Sequence, residues 1–146
     1  MNSRVGVRRP LIGLTLCALG RSDMGGFNSA FRIAADPTLP MGVRYVMFIQ
    51  TCSAFGGLAR SGLQPVYDAL GQRFGFSRDD KPDGSQLTLA LNAMVQVRFR
   101  LLHMLAQCRT ERRRRKAHSD QRKLPAPFTT GEVLQMLRSS GHPAGT

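Results

Sequence analysis

The longest patterned stretch of the chain lies near residues 86–114, where apolar positions recur regularly. Every second residue from Leu87 to Leu101 is apolar, which is the spacing of a strand with one buried face. On a helix, five polar residues fall within one arc of about 80° and apolar side chains fill most of the remainder, with Leu89 and Arg98 on the wrong side. The five are Asn92, Gln96, Arg100, His103 and Gln107. The helical pattern accounts for more residues over a longer window. We therefore predict one long amphipathic helix over about 86–114, with Ser85 as its cap.

A second apolar stretch covers residues 39–59 and contains one charged residue, Arg44. Its polar residues do not gather on one side of a helix, and a helix that is apolar all round is buried in protein or in lipid. It would be about 31 Å long, close to the hydrocarbon thickness of a bilayer. Both environments stay open here; in lipid, Arg44 would have to extend toward the headgroups. Gly56 and Gly57 could allow close approach of another helix or could end this one, and the second role is the commoner.

Shorter helices are predicted around these two. They cover residues 10–20, a stretch from Asn28 or Ser29 to residue 35 after a break at 24–26, and a stretch capped by Ser61 that ends near residue 76. Thr129 or Thr130, followed by Glu132, has the pattern of a capping box for a last short helix.

The fold class is accordingly mainly α: several short helices, one long amphipathic helix and an extended, basic and Pro-rich C-terminal segment. We do not expect an independent compact fold. The predicted parts are a basic N-terminal segment with short helices (1–38), an apolar helix and a short amphipathic helix (39–76), a loop (77–85), the long helix with its basic end (86–117), and a C-terminal extension with a short helix (118–146).

Charge changes this picture more than any motif does. The 146 residues include 21 Lys+Arg against 9 Asp+Glu, which gives a formal net charge of +12. Eighteen of the 21 cations are arginine, whose planar fork of donors suits phosphate. Codon usage in a GC-rich genome is an alternative cause of the arginine content. An excess of this size repels itself in a compact monomer, so we expect a polyanionic or acidic partner.

Residues 112–116 are five consecutive cations at the end of the long predicted helix. They could clamp RNA phosphate or anionic lipid headgroups, or they could form a solvated tail that complements the helix dipole. Only Phe128 is aromatic near this run, so base-specific RNA recognition is not supported. The candidate residues for binding RNA phosphate or anionic lipid are Arg109, Arg112, Arg113, Arg114, Arg115, Lys116, Arg122 and Lys123.

Signatures of catalysis and of metal binding are absent from the sequence. There is no GxSxG, HExxH or Walker-type motif, and the acids cluster in predicted loops. Cys17, Cys52 and Cys108 lie far apart, without the short paired spacings of a zinc site, and are typical of buried thiols in a reducing compartment. We therefore expect no enzyme, no catalytic residues, no metal and no cofactor.

The first 22 residues contain four arginines and no acid, around the apolar stretch 10–20. Of secretory, twin-arginine and mitochondrial signals, the mitochondrial kind fits this Arg-rich and acid-free composition best. We expect a mitochondrial protein, at the inner membrane or on its matrix side, whose targeting segment is not cleaved.

Two functions are consistent with these features, and the apolar segments together with a charged content of 21% favour the first. The first is a non-catalytic accessory subunit of a mitochondrial inner-membrane assembly, such as a respiratory chain complex or ATP synthase, in contact with other subunits and with a cardiolipin-like anionic phospholipid. The second is a structural protein of a mitochondrial ribosome that binds rRNA; a soluble basic adaptor is a weaker third. The expected membrane or subunit interface consists of Tyr45, Val46, Phe48, Ile49, Phe55, Leu91, Val95 and Leu102.

Overall fold

The computed structural model describes residues 22–117 and 127–140 and is mainly helical, as the sequence predicts. The predicted helix over 10–20, Cys17, Arg122 and Lys123 lie outside the described residues. Five helices occur in the described part of the chain: α1 (Ser22–Ala34), α2 (Met41–Ala59), α3 (Leu63–Phe74), α4 (Gly84–Ala117) and α5 (Thr130–Ser139).

Of the two helices before α3, the first begins earlier than predicted and the second ends where it was predicted to end. Helix α1 begins at Ser22 and continues through Met24, Gly25 and Gly26, which were expected to interrupt it. Helix α2 ends at Ala59, where the predicted helix over 39–59 also ends. Arg60 then adopts the left-handed conformation (φ 59°), and its N–H donates to the carbonyls of Gly56 and Gly57. Single residues in this conformation commonly end helices because they turn the chain back toward the free carbonyls of the last turn.

The caps of α3 and α4 also differ from the prediction. Gly62, not Ser61, precedes α3, and no side chain caps that helix. At α4 the cap is Asp83 rather than Ser85: its carboxylate accepts from the Gln86 N–H at 2.8 Å, and its own N–H donates to Gln86 Oε1 at 2.9 Å. These reciprocal bonds satisfy two free N–H groups at the helix start.

The predicted capping box of the last helix is confirmed. Thr129 Oγ1 accepts from the Glu132 N–H at 3.1 Å, and Glu132 Oε1 accepts from the Thr129 N–H at 2.7 Å.

Helices α2 and α4 begin at the same end of the bundle, which we call the loop end. Arg44, in the first turn of α2, donates from Nε to the carbonyl of Ala34 at 2.8 Å, and its Nη1 lies against Gly84 at the start of α4. Gln86 Nε2 donates to the carbonyl of Phe74, the last residue of α3, at 3.1 Å. The loop end therefore joins the ends of α1 and α3 to the starts of α2 and α4.

Helix α5 begins at the opposite end, which we call the arm end. Thr130 Oγ1 donates to the carbonyl of Ala59, the last residue of α2, at 2.7 Å. At its other terminus α5 reaches the end of α3, because Arg138 Nε donates to Gln72 Oε1 at 2.9 Å and Arg73 Nε donates to the Ser140 carbonyl at 2.8 Å. Helices α3 and α5 thus run side by side in one direction.

All five helices contribute to one hydrophobic core. Helix α2 is apolar on most of its surface because it lies between α1, α3 and α4, with contacts to each of them. Burial from several sides explains why its polar residues show no single solvent face. The largest fully buried side chains are Phe27, Phe48, Phe55, Leu70, Leu87, Leu91, Met94, Leu101, Leu137, Val66 and Val97.

Within the described ranges, no helix has the length and the apolar character that crossing a membrane requires. Arg44, which a lipid environment would have drawn toward headgroups, is instead buried beside the end of α1.

Candidate polyanion-binding surface

Helix α4 extends well beyond the bundle, to which it contributes its residues up to Leu105. It has 34 residues and α2 has 19, although both begin at the loop end. At 1.5 Å per residue their lengths are about 51 and 28 Å. Leu105 is the last buried residue of α4 whose side chain is described. Residues 106–117 therefore project about 18 Å past the core, and we call this segment the basic arm.

One line along α4 changes from leucine to arginine where the core ends. Leu101 and Leu105 are buried in the bundle, whereas Arg109 and Arg112 are exposed. The spacings of four, four and three residues keep these side chains on nearly the same side of a helix. The side that packs against the other helices thus becomes a cationic side at the arm end.

Three arginines form a stripe on the arm. Arg109, Arg112 and Arg113 are all exposed, and their positions fall within an arc of about 100° around the helix axis. Arg114 lies outside this arc and forms an ion pair with Glu111. Arg115 and Lys116 also belong to the helix, but their side chains lie outside the described part of the structure. We call Arg109, Arg112 and Arg113 the arginine stripe.

Carboxylates concentrate at the loop end, away from the arm. Asp36 follows α1, and Asp79, Asp80 and Asp83 precede α4. Hydrogen bonds from the side chain and backbone of Thr38 lower the pKa of Asp36, against a smaller opposing effect of burial, and nearby Arg44 lowers it further. Glu111 is the single acid of the basic arm. With one acid among its cations, the basic arm favours an anionic partner at the arm end.

The eight residues expected at a membrane or subunit interface differ in how exposed they are. Val46 is exposed, with 53% of its surface accessible. Tyr45, Ile49, Val95 and Leu102 are partly buried against the core, whereas Phe48, Phe55 and Leu91 lie inside it.

Phe99 is a surface residue that the sequence interpretation did not single out. Its side chain is 65% accessible, the highest value among the exposed large hydrophobic side chains of the described residues. It lies on α4 beside exposed Gln96, Arg100 and His103. The alternating apolar pattern places Phe99 among the buried residues. Its position on a helix, however, is next to the polar side chains, and that position was the sequence signal for its exposure.

A shallow cleft of about 290 Å³ lies between α2, α3 and the loop that follows α3. Tyr45 and Tyr67 are paired there through their hydroxyls at 3.2 Å, and Tyr67 donates to the Ser77 carbonyl at 2.9 Å. Burial, followed by the hydrogen bond with Tyr45, raises the pKa of Tyr67, so its hydroxyl stays protonated at neutral pH. Arg78 at the rim donates from Nε to Gln64 Oε1 at 3.0 Å. These groups satisfy one another and supply no general base.

Metal-ligating side chains are not grouped in the described part of the chain. No three His, Cys, Asp or Glu side chains there come together as metal ligands. Cys52 is enclosed in the core, and burial raises the pKa of its thiol, so that it carries almost no thiolate at neutral pH.

Comparison with known proteins finds no relative. No model of a protein family matches the chain, and no curated protein and no solved structure is significantly similar to it.

Proposed function

We propose that this chain is a non-catalytic structural protein that binds RNA phosphates through its basic arm, as a component of a ribonucleoprotein assembly such as a mitochondrial ribosome. The observation that carries the proposal is the change from Leu101 and Leu105 to Arg109 and Arg112 along one side of α4. A helix that continues past its own core with cations on the same side presents them to a partner at the end of the bundle.

The physical basis of binding is release of counterions from the nucleic acid. Each phosphate neutralised by an arginine frees a condensed cation, so affinity falls steeply as salt is raised. Because the arginine stripe is held on one preformed helix, its three side chains do not have to be ordered by folding of the backbone when RNA binds. The planar fork of arginine can also contact two phosphate oxygens at once.

The test is binding of the full chain to a short single-stranded RNA, followed by fluorescence anisotropy between about 50 and 200 mM salt. Replacing Arg109, Arg112 and Arg113 with Gln should weaken binding and reduce the slope of log affinity against log salt by about 2. The matched control replaces Arg32, Arg78 and Lys81, which are exposed cations in the loop-end half, with Gln.

The control removes the same net charge and should retain most of the slope. Equal losses from both triple variants would mean that net charge, and not the basic arm, holds the RNA. Absence of salt-dependent binding by the unaltered chain would refute the proposed function.

A second candidate function is an accessory subunit of a mitochondrial inner-membrane assembly that contacts anionic phospholipid. It is favoured by exposed apolar side chains near the start of α2, where Met41, Val43 and Val46 are 38%, 44% and 53% accessible. Vesicles with and without cardiolipin test it by flotation. This candidate requires cardiolipin-dependent flotation that Val46→Asp abolishes and that ribonuclease treatment leaves unchanged.

A further inference from the structure

Phe99 occupies an unusual place on α4. The neighbouring large side chains Met94, Val97 and Leu101 are turned into the core and are no more than 1% accessible, whereas Phe99 is 65% accessible. Its neighbours at spacings of three and four residues are the exposed polar residues Gln96 and His103 and the partly buried apolar residues Val95 and Leu102. A large ring that contributes so little to the core is available to a partner.

The ring lies on the helix that carries the basic arm. Phe99, His103, Thr110 and Arg113 are spaced by four, seven and three residues, so they follow one side of α4, and all four are exposed. From Phe99 to Arg113 the helix rises about 21 Å. One continuous exposed face therefore has an aromatic ring near the end of the bundle and an arginine of the stripe farther along.

We infer that Phe99 stacks against an unpaired base of the RNA whose phosphates lie on the arginine stripe. This inference rests on the proposed function and specifies its partner: RNA with a single-stranded segment, such as a loop or an end. Aromatic side chains stack on any base because every base has a π-face, but only unstacked bases offer one. Arg100 and His103, beside the ring, are placed to donate to the edge of the stacked base or to its phosphate.

The surroundings of Phe99 distinguish this partner from an apolar protein surface. The other exposed large hydrophobic residue of α4, Leu89, lies ten positions earlier, and the positions between them on the solvent side include Asn92 and Gln96. A docking site for an apolar protein surface would extend the hydrophobic area along the helix. Val95 and Leu102 beside the ring are partly buried against the core, so the exposed groups around it are Gln96, Arg100 and His103. An exposed ring beside such polar and cationic groups matches the chemistry of a base joined to a phosphate.

The experiment compares the full chain with Phe99→Ala and Phe99→Trp on two probes, a single-stranded RNA and the same RNA annealed into a duplex. Leu89→Ala is the control, since it removes another exposed apolar side chain from α4. Phe99→Ala should weaken single-strand binding about tenfold. It should leave duplex binding and the salt slope unchanged, because no cation is lost. Phe99→Trp should restore binding, and Leu89→Ala should have no effect.

A direct signal comes from 2-aminopurine placed in the single strand, whose fluorescence is quenched when it stacks. Binding of the unaltered chain and of Phe99→Trp should quench it at one position of the strand, and Phe99→Ala should not. Circular dichroism melting of Phe99→Ala should match that of the unaltered chain, because the side chain is exposed.

Outcomes that overturn the inference are distinct from those that overturn the proposed function. If Phe99→Ala binds the single strand as tightly as the unaltered chain, while the arginine-stripe variant still loses its salt slope, stacking is refuted and phosphate binding stands. Equal weakening of single-strand and duplex binding also refutes stacking. If Phe99→Ala instead dissociates a self-associated form in sedimentation, with RNA binding unchanged, the ring serves protein contact. Absence of RNA binding by the unaltered chain refutes both.

Discussion

Arg44 donates from Nε to the carbonyl oxygen of Ala34 at 2.8 Å, and this bond ties the start of α2 to the last residue of α1. Arg44 as a whole residue is only 6% accessible. It meets the carbonyl end of a helix, where the helix dipole favours a positive charge. Arg44 therefore closes the loop end of the bundle from inside.

Replacing Arg44 with Ala should destabilise the fold. The substitution leaves the Ala34 carbonyl without its donor and opens space beside Gly84. We predict a loss of about 2 kcal/mol in the free energy of unfolding, measured by urea denaturation. Arg32→Ala is the control because Arg32 is an exposed cation in the last turn of α1. Equal stability of both variants would show that the Arg44 bond contributes nothing.

Adjacent glycines in α2 should respond in opposite ways to alanine. A Cβ on Gly56 would overlap the carbonyl group of Gly62, whereas a Cβ on Gly57 would meet nothing within 4 Å. Gly56→Ala should therefore cost about 2 kcal/mol of stability through overpacking against backbone. Gly57→Ala should be neutral or stabilise by up to about 1 kcal/mol, because alanine favours helix. Thermal melting of the two variants measures the difference. Similar melting temperatures would contradict the close contact between Gly56 and the Gly62 carbonyl, where the chain folds back after α2.

Cys52 should react with thiol reagents only when the protein unfolds. It is fully enclosed, and burial raises the pKa of its thiol, so both access and thiolate are lacking in the folded state. Iodoacetamide labelling near pH 8, read by peptide mass spectrometry, should modify half-buried Cys108 well before Cys52. Adding urea should bring the two rates together. Comparable labelling of both cysteines without urea would contradict the burial of Cys52.

Asp36 should titrate at a lower pH in the folded chain than in the unfolded chain. Thr38 donates to its carboxylate from Oγ1 at 2.6 Å and from the backbone N–H at 2.9 Å, and these bonds lower its pKa. Because the folded pKa is the lower one, its contribution to stability is present above the unfolded pKa and is lost as pH falls through the folded value. Thr38→Ala should raise the Asp36 pKa, as measured by the carboxyl carbon shift in NMR. An unchanged shift curve would exclude the Thr38 hydroxyl as a cause.

The helices were largely predictable because their signals are local. The stretch 86–114 contains a helical pattern over many turns, and the observed α4 begins two residues earlier and ends three later. The capping box of Thr129 and Glu132 was predictable for the same reason, since a few adjacent residues contain both partners. The wrong cap at Ser61 arose where the chain folds back after α2, because the start of α3 there depends on the backbone of the preceding turn.

The candidate site could also be predicted from the sequence only in part. Arg109, Arg112 and Arg113 were identified from the run of cations alone, because a high local charge density does not depend on the fold. Phe99 was missed because its exposure depends on where the other helices stop covering α4.

The sequence by itself determined the mainly helical class, the long amphipathic helix and the concentration of arginine at its end. These properties follow from residue spacing and charge, which a single segment contains completely. Only the tertiary structure decided that α2 packs inside a bundle, that Arg44 is buried against Ala34, and that α4 extends beyond the core after Leu105. Those facts depend on which helix faces cover one another, and burial is a property of packed pairs of helices rather than of any one segment.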